Sequence, residues 1–99
     1  MRISPQERKV ILSQVRSVYG VDAEVILFGS RVDDEKRGGD IDIMIDLHGS
    51  GFEIGQKFKL QSLLQLSLGE QKFDVVVTGD RYKDERLVVQ EAVAKGVRL

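Results

Sequence analysis

With 99 residues and 11.1 kDa, the chain has room for a single domain, 1–99, because two cores would each be marginal in size. Its 41% hydrophobic and 31% charged content at net charge −1 excludes wholesale disorder, and its longest apolar run, Val25–Phe28, excludes a membrane-spanning helix. No cysteine is present, so disulfides, thiolate catalysis and Cys-based zinc sites are ruled out, while 15 basic against 16 acidic residues argue against a direct nucleic-acid partner.

The N-terminus reads as a helix start and not as a signal peptide. Ser4 can cap, Pro5 suits the first helical position, and Glu7 completes a capping box. Val10, Ile11, Val15, Val18 and Tyr19 recur at helical spacing and Gly20 follows, which predicts a helix over Pro5–Tyr19. With no signal peptide, membrane span or cysteine read in the sequence, a cytoplasmic protein is the default expectation. Glu24–Phe28 is β-branched and aromatic and predicts a buried strand ended by Gly29. Ser30–Gly39 is a polar loop. In Asp40–Leu47, Ile41, Ile43, Ile45 and Leu47 alternate with Asp40, Asp42, Met44 and Asp46, which predicts a strand with one apolar and one largely acidic face. After a turn at His48–Gly51, Phe52–Leu68 is leucine-rich and helical, with Gly69 as its stop. Phe73–Thr78 is a third strand, and Asp84–Lys95 a last amphipathic helix with Leu87, Val88, Ala92 and Val93 inward. Val97–Leu99 adds a short edge strand. The order α-β-β-α-β-α predicts an α/β fold of the α+β type, a small mixed sheet covered by helices.

Chemistry concentrates at Gly29-Ser30, Asp40-Ile41-Asp42 and Asp74. Carboxylates two apart on a strand share a face, with Cα atoms roughly 6.5–7 Å apart, and their oxygens can converge on a cation. Without one, the like charges raise each other's pKa. Oxygen donors with no cysteine and one distant histidine, His48, favour Mg²⁺ over zinc. Asp74 interrupts the apolar run Phe73–Val77 and needs either a partner such as Lys72 or a purpose. Taken singly, each feature is as well explained by a solvated strand face or a turn. Met44 is expected at the site edge. Asp46 lies roughly 13 Å beyond Asp42 and is not expected to be a ligand. There is no P-loop, no dinucleotide-binding glycine motif, and no EF-hand glycine after Asp40.

The succession Ile26-Leu27-Phe28-Gly29-Ser30-Arg31, Gly39-Asp40-Ile41-Asp42-Ile43-Met44-Ile45 and Phe73-Asp74-Val75-Val76 resembles the minimal nucleotidyltransferases of the DNA polymerase β superfamily. The tail Val89–Leu99 resembles that family's closing helix, glycine and short strand. The sequence departs from the family at Val32, Asp33 and Asp34, where a small residue and a glycine are frequent, and at Gly39, where serine is common. The resemblance implies a polymerase β-like fold and transfer of AMP from ATP to a hydroxyl. Two Mg²⁺ ions would be held by Asp40, Asp42 and Asp74, with Asp74 as general base and Gly29, Ser30 and Arg31 gripping the nucleotide. It also implies a HEPN-type toxin partner, joined in a hetero-oligomer and adenylylated on a tyrosine, so that the chain acts as an antitoxin. Two other readings stand beside it: a non-catalytic antitoxin that neutralises by docking, and a small-molecule nucleotidyltransferase.

Overall fold

Alternation in Ile41–Asp46 organises the molecule, because its isoleucines are buried on one side while its other side carries Asp42, Met44 and Asp46. The computed structural model describes residues 3–29, 32, 40–49, 51, 53–69 and 71–99. Its elements run α1 (Pro5–Tyr19), β1 (Glu24–Phe28), β2 (Ile41–Asp46), α2 (Ile54–Leu68), β3 (Phe73–Thr78), α3 (Leu87–Lys95) and β4 (Val97–Arg98). The described strands form one mixed sheet in the order β3-β2-β1-β4. β1 is antiparallel to β2 and β4, whereas β2 and β3 are parallel and are joined through α2. This is the α+β architecture read from the sequence.

One sheet face is covered by α1 and α2. Val25, Leu27, Ile41, Ile43, Ile45, Phe73, Val75 and Val77 pack there against Ile11, Val15, Leu60 and Leu64. The other face is covered only in part by α3, where Ile26, Phe28 and Met44 meet Val89 and Ala92. Gly96 permits that close approach, since a Cβ there would collide with the Ala92 carbonyl and the Ile26 side chain. The capping box expected at α1 is formed: Glu7 N donates to Ser4 Oγ at 3.0 Å and Ser4 N to Glu7 Oε1 at 2.9 Å.

Several expectations need correction. α2 begins at Ile54, not Phe52, and Glu53 N donates to Gln56 Oε1 at 3.0 Å at its start; Phe52 itself lies outside the described residues. α3 begins at Leu87, not Asp84, because the Asp84 carboxylate is engaged by the Thr78 hydroxyl and the Arg86 backbone and guanidinium. Its buried stripe is Val89 and Ala92, so Leu87, Val88 and Val93 face outward. Met44, on the same strand face as Asp42, is wholly buried in the core under α3.

Asp46 is also buried, at 1% exposure. Its carboxylate accepts from Arg81 Nη1 at 2.9 Å and from His48 N at 2.9 Å, while the same Arg81 nitrogen donates to Glu24 Oε2 at 2.8 Å. His48, held with positive φ, places Nε2 3.0 Å from Glu24 Oε1. Asp46 therefore serves the fold, and Asp46→Asn is a stability variant. A buried anion stripped of its partner is costly, so Arg81→Ala should lose about 3–5 kcal/mol in urea denaturation. A loss below about 1 kcal/mol would show that this pair behaves as an exposed one.

Candidate active site

The parallel register sets Asp42 directly opposite Asp74, and the antiparallel register sets Phe28 opposite Asp42. Immediately after Phe28 the chain leaves the sheet at Gly29, whose φ of 75° is comfortable only for glycine. Val32 N donates to Gly29 O at 3.2 Å. A Cβ at Gly29 would collide with Asp42 Oδ2 and stand 3.1 Å from its Cγ. The absent side chain is therefore the space in which the Asp42 carboxylate lies.

Burial, together with Asp74 at hydrogen-bonding reach and the nearby Asp40 and Glu91 charges, pushes the Asp42 carboxyl up to about 6. Asp74 is exposed at the end of β3 and open to a reactant. Asp40 precedes β2 and lies beside Lys72, whose Nζ is 3.8 Å from Asp40 Oδ2. Lys72 thus pairs with Asp40, where the sequence suggested Asp74 as its bland partner. Among the described residues, no three ligating side chains close around a single cation position. The Asp42–Asp74 pair nevertheless suits a hard divalent cation: both are oxygen donors, and their like charges oppose each other.

Of the six site residues expected from sequence, Gly29, Asp42 and Asp74 are brought together and Asp40 adjoins them. Ser30 and Arg31 lie outside the described residues. Glu91 was not foreseen. Its neighbour Ala92 is buried under the sheet, and reading the α3 stripe as Val89 and Ala92 would have set Glu91 beside the acidic strand end.

Residues 8–97 match the family model described as a nucleotidyltransferase domain. The chain belongs to that family. Its fold is similar to that in a solved crystal structure of a mutant of the toxin-antitoxin MntA-HpeT. The TM-score is 0.71 at 21% identity, covering 93% of this chain and 70% of that one. No curated protein matches the chain. The strand end bearing Gly29, Asp42 and Asp74 is thus part of a nucleotidyltransferase domain, and among the described residues no helix is long and apolar enough to cross a membrane.

Two outcomes follow from this geometry. Because the raised Asp42 carboxyl disfavours its charged form in the fold, stability of the metal-free protein should fall as pH rises through about 6. Asp42→Asn should therefore raise Tm by several degrees at pH 8 in chelator, with the gain shrinking towards pH 5; a pH-independent difference would contradict the assignment. Gly29→Ala should lower Tm and weaken Mn²⁺ binding at least tenfold, as measured by titration, because its methyl group occupies the Asp42 carboxylate's space.

Proposed function

We propose that this nucleotidyltransferase domain, residues 1–99, transfers AMP from ATP to a hydroxyl of a protein partner in an Mg²⁺-dependent reaction. The partner proposed is a HEPN-type toxin, modified on a tyrosine within a hetero-oligomer, so that the chain acts as an antitoxin. The observation carrying this reading is the Asp42–Asp74 pairing above the side-chain-free Gly29. The family membership supports the reaction class, and the fold likeness to a toxin-antitoxin protein supports the setting. The reaction belongs in the cytoplasm, where ATP and Mg²⁺ are plentiful.

Asp42, Asp74 and Asp40 would hold two Mg²⁺ ions, which when bound neutralise the carboxylates and the phosphate charge and stabilise the developing transition state. Gly29 and Ser30 backbone amides, the Ser30 hydroxyl and Arg31 grip the triphosphate as the chain leaves β1. Asp74, exposed at the strand end, takes the proton of the attacking hydroxyl. A new bond forms between that oxygen and the α-phosphorus, the α–β bridging bond breaks, and pyrophosphate departs. The half-buried Asp42 is fixed beneath this centre by its strand and by Gly29, so it orients without rearranging.

Single-turnover incubation of the complex with α-labelled ATP and Mg²⁺ tests the proposal. Label should appear on the partner, and Asp40→Asn, Asp42→Asn and Asp74→Asn should each lower the rate by roughly a hundredfold or more while the proteins remain folded. Normal inhibition of the partner by all three variants, with no label transferred, would establish neutralisation by docking and overturn the catalytic reading.

A further inference from the structure

We propose that Lys72 is the resident counter-cation of Asp40, and that a divalent cation must displace it before Asp40 can join Asp42 and Asp74. The inference rests on the metal-dependent reading of the site given above. Ile41 pairs with Phe73, so Asp40 and Lys72 come together one step before the ladder begins. Ile41 N donates to Lys72 O at 3.0 Å, which fixes the two backbones side by side. From there the Lys72 ammonium reaches to 3.8 Å of Asp40 Oδ2.

The character of this pair differs from that of Arg81 with Asp46. Lys72 and Asp40 side chains are 71% and 41% exposed, whereas those of Arg81 and Asp46 are 15% and 2% exposed. An exposed lysine–carboxylate contact contributes little to stability and exchanges readily with solvent and ions. It is suited to be given up. Its placement also accounts for the division among the acids: Asp42 and Asp74 confront each other, while Asp40 is compensated by a side chain of its own. Lys72 and Asp74, two apart on one face of the same chain segment, therefore do opposite things at one strand end. One offers an oxygen to the cation, and the other occupies a neighbouring oxygen until the cation arrives.

The test uses Mn²⁺ alone as the probe, with binding followed by electron paramagnetic resonance at low ionic strength, where an exposed pair is least screened. Lys72→Met should bind Mn²⁺ roughly two- to fivefold more tightly than the unsubstituted chain, the range expected for losing one exposed competing pair. Lys72→Arg should retain the original affinity. In an Asp40→Asn background, Lys72→Met should bring no gain, because the carboxylate competed for is no longer charged. Unchanged affinity in Lys72→Met overturns the inference, and so does an equal gain in the Asp40→Asn background, which would reveal only a long-range field. Failure of the unsubstituted chain to bind Mn²⁺ would instead overturn the metal-centred reading of the site, and this inference with it.

Discussion

The parallel register between β2 and β3 is the constraint on which the site depends. It sets Asp42 against Asp74 and, one residue earlier, brings Asp40 to Lys72. A slip of one residue would turn the carboxylates into the helix-covered core and the isoleucines outward, so the burial of Ile41, Ile43 and Ile45 enforces the alignment of the acids. Two carboxylates held face to face oppose folding, and the core of β2 tolerates that opposition because its other side is entirely apolar. Stability thus supports a local electrostatic conflict of the kind that a bound divalent cation would relieve.

The acidic face of β2 is divided between two tasks. At one end, Asp42 lies beside Gly29 and faces Asp74, with the Asp40 and Glu91 charges nearby. At the other, Asp46 is enclosed by Arg81 and backbone donors, with Glu24 and His48 completing the network. Met44 lies between them, buried under α3. Neutralisation by a buried arginine makes Asp46 a structural group, whereas among the described residues the charges facing Asp42 are carboxylates.

Much of this was legible in the sequence. The isoleucine alternation disclosed β2 and its acidic side, and the lone acid in Phe73–Thr78 disclosed Asp74. The glycine after β1 marked a turn, yet nothing in local pattern says that its missing Cβ makes room for Asp42, a contact between residues 13 apart in the chain. The phase of α3 was misread because Leu87, Val88 and Val93 are apolar but outward, and because Asp84 is drawn away from the helix by Thr78 and Arg86. Tertiary partners decided that boundary, not propensity. The same misreading concealed Glu91. Lys72 was visible as a counter-charge, but which acid it meets depends on strand register, which sequence spacing alone does not express.

The most direct test of the central claim is a crystal structure with Mn²⁺ and a non-hydrolysable ATP analogue, read through manganese anomalous scattering. The account predicts an anomalous peak about 2.0–2.3 Å from oxygens of Asp42 and Asp74, with the triphosphate running past Gly29. Manganese bound away from this pair, or a triphosphate lodged at the Asp46 end of the sheet, would contradict it.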